Sequence, residues 1–295
     1  MRTFVFALLT FIPFPLYAQA PATEIKTDGQ RVFVCAHSFH IFVNKYIGPM
    51  AKSAGIENHK DAGRQMIGGS RVTQHWDLAD EKNICKKTIK TGEVDVLTLS
   101  PHLKMPDEGV DKFVDLMLEN NPKGKIYVQA SWYPFDLPGK GILNFGNEDR
   151  NKIKVEEIRK ASEPTYKAFV EQIQTLNKKY EDKQKRQVVF MVPAGPAVYA
   201  LREQVEAGKV PGLAKPSEMF KDGIGHASLP VELLVTYCNF ACIYKKNPVG
   251  LPMPEVLTKA KNPAWDDKFN KLLQEIAWEA ACAEKLSGVY KDSSK

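Results

Sequence analysis

Two short polar segments, far apart in the sequence, carry the residue types that acyl transfer needs. The first contains Ser38 and follows the apolar run 32–34. The second contains Asp222 and His226. A neutral hydroxyl is a poor nucleophile until an imidazole takes its proton, and a carboxylate orients that imidazole. If the fold joins the segments, Ser38, His226 and Asp222 provide a nucleophile, a general base and its orienting acid.

Other polar residues follow the remaining apolar runs. Gly69 lies in a Gly-Gly-Ser sequence, and His102 follows Ser100 and Pro101. Ligands of open parallel sheets bind beyond the carboxyl ends of the strands, so we expect these residues to reach the same rim as Ser38. Four further candidates for substrate contact flank the serine or open an aromatic loop: His37, His40, Trp132 and Tyr133. An aromatic ring on that loop is suited to stacking on a sugar.

Short apolar runs alternate with helix-like stretches along the chain, which predicts an α/β fold with a mostly parallel five-stranded sheet in a three-layer α/β/α sandwich. The predicted strands are 31–36, 64–67, 94–99, 125–131 and 187–192. The predicted helices are 39–53, 73–91, 107–120, 155–179, 196–207, 229–245 and 266–286. Ser38 is also a preferred N-cap for the first of these helices, and this role is compatible with catalysis.

Two stretches contain no clear element. Residues 132–151 are rich in Pro, Gly and aromatic side chains, and residues 209–220 directly precede the Asp222 segment. Long ordered loops of compact domains often border binding sites. The sequence contains no repeat or linker, so residues 21–295 are expected to form one domain.

The first 20 residues have the pattern of a secretory signal peptide. Arg2 precedes an apolar stretch, and Ala18-Gln19-Ala20 is typical of a cleavage site. The apolar stretch is too short to span a bilayer comfortably. We therefore expect export to the periplasm or the medium, with no stable membrane span after cleavage.

Composition excludes few classes but bears on partners. The formal net charge of +6 comes from scattered lysines, which is typical of a solvated surface and predicts no nucleic-acid partner. The five cysteines leave at least one thiol unpaired within the chain, and their pairing stays open. Their spacing does not match a zinc site, so neither a metal nor another cofactor is expected. The oligomeric state is also open.

The ordered set of segments resembles the SGNH/GDSL hydrolases. The sequence Ala36-His37-Ser38-Phe39 is similar to their nucleophile block, and Gly68-Gly69-Ser70 with His75-Trp76 is similar to their glycine block. Asp222 with His226-Ala227-Ser228 is similar to their last block. The resemblance covers most of residues 21–295. It implies a flavodoxin-like fold and a secreted serine esterase.

Two departures from the family pattern concern the chemistry. His102 stands where the family places an oxyanion-hole Asn, although an imidazole N–H also donates a hydrogen bond. Asp222 is four residues before His226 rather than three, and Gly225 is the residue that would absorb the offset. If Gly225 does not absorb the offset, another carboxylate or a backbone carbonyl orients the ring of His226.

The resemblance also implies roles for the residues. Ser38 attacks an ester carbonyl, His226 acts as base and then acid, and Asp222 fixes the His226 tautomer. The backbone N–H groups of Ser38 and Gly69, with His102, hold the oxyanion. The expected partner is a small-molecule or polysaccharide ester, for example an acetylated carbohydrate. The alternatives are a catalytically silent carbohydrate-binding protein on the same scaffold and an acyltransferase that uses the same serine.

Overall fold

The computed structural model of the protein describes residues 28–102, 104–137 and 145–291. The predicted signal peptide, residues 1–20, lies outside them. The strands are β1 (Arg31–Ala36), β2 (Lys60–Met66), β3 (Val96–Leu99), β4 (Lys125–Gln129) and β5 (Val189–Val192). The helices are α1 (Val43–Ser53), α2 (Val72–Trp76), α3 (Ile84–Lys90), α4 (Glu108–Asn120), α5 (Val155–Gln184), α6 (Ala194–Glu206), α7 (Leu229–Tyr244), α8 (Glu255–Lys259) and α9 (Asp267–Ala283), with 3₁₀ helices at Asn147–Lys152, Pro216–Met219 and Lys285–Ser287.

The five strands form one parallel sheet in the order β2-β1-β3-β4-β5. The predicted α/β class and parallel sheet are therefore confirmed. From β1 the chain adds β2 on one side and β3 on the other, so the topological switch point lies between β1 and β3. Open sheets of this order bind ligands at that point. Ser38 follows β1, and Ser100 and His102 follow β3, so both groups lie at this switch point.

Alternate side chains of β1, β3, β4 and β5 enter two separate hydrophobic cores. Val32 and Val34 of β1 belong to the core that also contains residues of α1, α6, α7 and α9. Phe33 and Cys35 belong to the core formed with α3, α4 and the second half of α5. Since successive strand residues point to opposite faces, the sheet is the middle of three layers, as predicted. The rim with Ser38 is thereby carried on strands that are buried on both faces.

One helix that was predicted as continuous is interrupted. Residues 73–91 form two short helices, α2 and α3, rather than one. Asn83 causes the break, because its buried side chain accepts a hydrogen bond from Lys86 N at the start of α3 and donates to the carbonyl of His75 at 2.9 Å. Asn is a preferred N-cap, and it competes with the helix for backbone groups.

The described residues contain no helix long and apolar enough to cross a membrane. All five cysteines have free thiols, and four of them are buried.

Candidate active site

Ser38 lies in the turn between β1 and α1. The strand ends at Ala36, and α1 does not begin until Val43, so Ser38 is not the N-cap of that helix. Its hydroxyl instead lies 3.0 Å from Nε2 of His226. The side chain is partly exposed, while the residues on both sides of it are buried. The turn therefore presents the hydroxyl to solvent on a fixed backbone.

His226 lies between Ser38 and Asp222. Its Nδ1 is 2.6 Å from Oδ2 of Asp222. An ionised carboxylate can only accept hydrogen bonds, so Nδ1 carries the proton and Nε2 is free to accept the hydrogen of the Ser38 hydroxyl. The ring edge also contacts Phe39, with ring centroids 5.6 Å apart. This tautomer is the one in which an imidazole can take a proton from the serine.

Gly225 supplies the backbone freedom that the four-residue spacing requires. Its φ is +103°, a value that residues with a Cβ adopt rarely. Asp222 Oδ1 accepts hydrogen bonds from the N–H groups of Gly225 at 3.0 Å and His226 at 3.2 Å. The carboxylate therefore folds the loop back on itself and still leaves Oδ2 for the imidazole. The additional residue relative to the family pattern is accommodated in this turn.

The same hydrogen bonds determine the charge state of Asp222. Partial burial alone would raise the pKa of its carboxyl group. The hydrogen bonds from the His226 ring and from the two N–H groups outweigh this effect and lower the pKa below its ordinary value. The carboxylate is therefore ionised at neutral pH.

The hydroxyl of Ser38 and the ring of His226 line a cleft of about 350 Å³. Gly68 and Gly69 form part of one wall. Apolar side chains dominate the rest of the lining: Phe39, Met66, Pro101, Trp132, Pro134 and Ile224. None of the described lining residues is Asp, Glu, Lys or Arg. The cleft therefore suits a neutral molecule with an apolar part.

Gly69 and His102 both line this cleft. Gly69 has a φ of +60° and an exposed backbone. Among the described residues, no acceptor is found for its N–H or for that of Ser38. Burial and the charge of Arg71 lower the pKa of His102, so its imidazole is neutral at pH 7 and has one N–H to donate.

His37 lies at the base of the cleft and supports the Ser38 turn. Its Nδ1 accepts the N–H of Phe39 at 3.2 Å, and its Nε2 is 2.9 Å from the hydroxyl of Ser100. Burial and the neighbouring His102 and His40 lower its pKa to about 3, so the ring is neutral. Both ring nitrogens are thus occupied by the protein, which leaves the ring edge for substrate contact.

His40 does not line the cleft, so the prediction that it contacts substrate is wrong. It is fully buried. Its Nδ1 donates to Oε1 of Gln129, and its Nε2 is 2.9 Å from the hydroxyl of Thr98. Gln129 also donates to the carbonyl of Phe39 at 3.0 Å. His40 therefore belongs to a polar cluster under the Ser38 turn, because the first turn after the strand points it into the sheet.

The two aromatic residues after β4 have different environments. Trp132 lines the cleft, but only 1% of it is exposed, because it stacks on Phe39 and donates from Nε1 to the carbonyl of Gly225 at 3.0 Å. Tyr133 points away from the cleft, and its hydroxyl bonds to Thr165 in α5. The candidate role of Tyr133 in substrate contact is therefore wrong, since successive residues of an extended segment face opposite sides.

Sequence reasoning missed several cleft residues, among them Met66 and Ile224, and the supporting residue Arg150. Met66 and Ile224 lie at the cleft with 51% and 41% of their surface exposed. The sequence signal for Ile224 was an apolar residue between two glycines in an otherwise polar segment, which is typical of a side chain exposed at a binding site. Arg150 bonds to the backbone of the Asp222 loop, and its sequence context, within a loop, offered no signal. In the described part of the chain, no three His, Cys, Asp or Glu residues are grouped as for a metal ion.

Comparisons with known proteins agree on the fold. No family model and no curated protein matches the sequence. Among solved structures, a DUF4886 family protein from Bacteroides uniformis is similar at a TM-score of 0.53 and 14% identity, over 90% of this chain and 99% of that chain. The likeness shows a shared fold.

Two further solved structures are more distant. One is a candidate SGNH hydrolase from Slackia heliotrinireducens, with a TM-score of 0.42 and 11% identity over 72% of this chain and 97% of that chain. The other is an extracellular lipase from Streptomyces rimosus, with a TM-score of 0.33 and 12% identity over 70% of this chain and 90% of that chain. The sheet order and layers described above confirm the flavodoxin-like three-layer α/β/α fold that the sequence resemblance implied.

Proposed function

We propose that this protein is a serine ester hydrolase of the SGNH/GDSL type. One observation carries the proposal: the hydroxyl of Ser38, the ring of His226 and the carboxylate of Asp222 form a continuous hydrogen-bonded chain at the cleft. The two contacts measure 3.0 Å and 2.6 Å. Both are hydrogen-bond distances, and the first lies within the range in which a general base takes a proton from a nucleophile.

The first half of the reaction acylates the serine. Ser38 Oγ forms a bond to the ester carbonyl carbon as its proton passes to Nε2 of His226. The tetrahedral intermediate then expels the alcohol, which takes that proton from His226. Asp222 keeps the ring in the Nδ1–H tautomer and stabilises the imidazolium that forms. In the second half, water attacks the acyl carbon as its proton passes to Nε2 of His226. The second tetrahedral intermediate then breaks its bond to Ser38 Oγ, which takes that proton from His226 as the acid leaves.

The oxyanion of each intermediate is held by the backbone N–H groups of Ser38 and Gly69, with His102 as a third donor. The absence of an acceptor for either N–H within the described residues supports this assignment. Donors aimed at the developing charge typically contribute about 3 kcal/mol each. The neutral state of His102 supports its role, because the neutral ring provides a donor without a fixed charge.

The apolar lining favours an ester whose acyl part is apolar and uncharged. The alcohol part is not constrained in this way, so an acylated carbohydrate is also compatible with the cleft. The thin exposed edge of Trp132 offers little ring surface for stacking on a sugar. The signal-like residues 1–20 support export of the enzyme to the periplasm or the medium.

The test is hydrolysis of p-nitrophenyl acetate and butyrate by the purified protein. We expect Ser38→Ala and His226→Ala to lower kcat by at least about 10³-fold, because each removes a member of the proton-transfer chain. A fluorophosphonate should label the peptide that contains Ser38. Ser162→Ala, at a half-buried serine of α5 that does not line the cleft, is the matched control and should leave the rate unchanged. Equal rates in wild type and Ser38→Ala would exclude the proposal.

The same assay distinguishes the two alternatives. Transfer of the acyl group to an added alcohol, faster than hydrolysis, would identify an acyltransferase. Binding of an acylated sugar without turnover, with no labelling of Ser38, would identify a binding protein.

A further inference from the structure

A buried ion cluster lies behind the loop of residues 222–226. It contains Arg150, Arg202 and Asp136, whose exposed fractions are 0%, 1% and 3%. Nη1 of Arg150 donates to one carboxylate oxygen of Asp136, and Nη1 of Arg202 donates to the other at 2.6 Å. Glu206 accepts from Nε of Arg202 at 3.0 Å, so the two positive charges are matched by two negative ones. Buried charges are costly unless they are paired in this way.

Arg150 connects this cluster to the loop. Its Nη2 donates to the carbonyls of Asp222 and Gly223, both at 3.0 Å. Its Nε donates to Oδ1 of Asn147 at 2.8 Å, and its guanidinium lies 4.4 Å from the ring centroid of Phe220. The planar guanidinium is therefore held by partners on several sides. All three of its nitrogens donate at once, Nη2 to the two carbonyls and the others to Asp136 and Asn147, a geometry that the single ammonium nitrogen of lysine does not reproduce.

The two carbonyls that follow are held from the same side. The carbonyl of Ile224 accepts the backbone N–H of Phe135 at 3.0 Å, and the carbonyl of Gly225 accepts Nε1 of Trp132 at 3.0 Å. Every carbonyl from 222 to 225 thus accepts a hydrogen bond from residues 132–150. Because the loop backbone is fixed on this face, the side chains of Asp222 and His226 project toward Ser38.

We propose that Arg150 is a positioning residue for the Ser38, His226 and Asp222 site. It holds the two carbonyls at the start of the loop, so that Asp222 stays on Nδ1 of His226 while Nε2 stays on Ser38. This proposal rests on the hydrolase function proposed above. It also gives the aromatic loop after β4 a role, since that loop carries Asp136 and two of the other donors.

The test compares two arginines with similar bonding. Arg186 also donates from Nη2 to two carbonyls, of Pro122 at 2.7 Å and Gly124 at 2.8 Å, but at the amino ends of β4 and β5, opposite the strand ends that carry the candidate site. We expect Arg150→Lys to lower kcat for p-nitrophenyl butyrate by about tenfold to a hundredfold with KM nearly constant, because the catalytic groups are displaced by a fraction of an ångström to 1 Å. Arg186→Lys should leave kcat unchanged.

A second readout does not need hydrolysis. In the proton NMR spectrum, the strongly hydrogen-bonded Nδ1–H of His226 should give a downfield resonance that Asp222→Asn abolishes. We expect Arg150→Lys to weaken or shift this resonance and Arg186→Lys to leave it unchanged. An unaltered resonance and an unaltered kcat in folded Arg150→Lys would overturn the proposal. If Arg150→Lys does not fold, Asp136→Asn, which retains the side-chain shape but weakens the orientation of Arg150, should give the same changes to a smaller extent.

The two proposals fail in different ways. Absence of Ser38-dependent hydrolysis in the wild type would remove the proposed function, and the resonance of His226 would still decide whether Arg150 positions the loop. Normal wild-type hydrolysis with equal kcat in the Arg150→Lys and Arg186→Lys variants would reject only the positioning role.

Discussion

At the scale of residues, two large apolar side chains at the cleft are exposed to solvent. Met66 ends β2, and Ile224 lies in the loop that carries His226. Large exposed apolar side chains in the described chain are few, and two of the four line this cleft. Exposed apolar groups that cluster at a cavity commonly mark a binding surface. We infer that both contact the acyl part of the ester.

The first prediction concerns these two residues. In the Met66→Ser/Ile224→Ser double variant, the ratio of kcat/KM for p-nitrophenyl octanoate to that for the acetate should fall about tenfold. The longer acyl chain loses apolar contact worth about 1–2 kcal/mol, while the acetate has little chain to lose. The measurement is steady-state kinetics with both esters.

Ile84 provides the matched control. It lies on α3, outside the cleft, and is 53% exposed. Ile84→Ser should leave the octanoate to acetate ratio at the wild-type value. A ratio that is equally unchanged in the double variant would show that the acyl chain binds elsewhere.

At the scale of elements, the loop of residues 222–226 combines two requirements. It must bring Asp222 back to His226, and it must leave His226 pointing at Ser38. The turn is possible because Gly225 adopts a φ of +103°. A Cβ there would meet no atom closer than 3.6 Å, so the constraint is the backbone conformation rather than space.

The second prediction is that Gly225→Ala lowers both stability and kcat. An L-residue in this conformation costs of the order of 1–3 kcal/mol, and part of the strain is relieved by movement of His226. Thermal unfolding and p-nitrophenyl acetate hydrolysis measure the two effects.

Gly55 separates strain from positioning. It follows α1, has a φ of +71°, and a Cβ there would meet no atom within 4 Å. Gly55→Ala should lower stability to a similar extent without a change in kcat. If Gly225→Ala loses stability but retains full kcat, the loop tolerates the strain without displacement of His226.

At the scale of the whole molecule, two neutral histidines lie at the Ser38 turn. Burial lowers the pKa of His37 to about 3 and that of His40 to about 4, compared with about 6.5 in an unfolded chain. Each histidine therefore takes up a proton on unfolding at pH values between its folded pKa and about 6.5. Their neutral state favours the folded protein fully above pH 6.5, and this contribution is lost as the pH falls toward 4.

The third prediction concerns the pH dependence of stability: stability should decrease as the pH falls. The free energy of unfolding should fall by about 3 kcal/mol between pH 6.5 and pH 5, since each histidine contributes at most about 1.4 kcal/mol per pH unit. Urea unfolding at several pH values measures the slope. His40→Gln should reduce the pH slope by roughly half, even if it lowers stability at every pH. An unchanged slope would mean that His40 is protonated in the folded state.

Much of the architecture could be predicted from the sequence because it depends on local patterns. The β-branched runs predicted β1 at its observed bounds and four further strands within a few residues. The spacing of turns and helices predicted the parallel sheet, and with it the convergence of Ser38, Gly69 and His102 at one rim. The helix 73–91 was wrong because its break depends on hydrogen bonds of the buried Asn83, which the periodicity of apolar residues does not contain.

The sequence by itself determined which residues could do chemistry and on which edge of the sheet they would lie, because residue type and strand order are written along the chain. Only the tertiary structure decided which side chains enter the cleft. It turned His40 and Tyr133 away from it, and it brought Arg150 to the carbonyls of the Asp222 loop. These contacts join residues distant in sequence through distances of a few ångströms, which residue types and spacing alone do not specify.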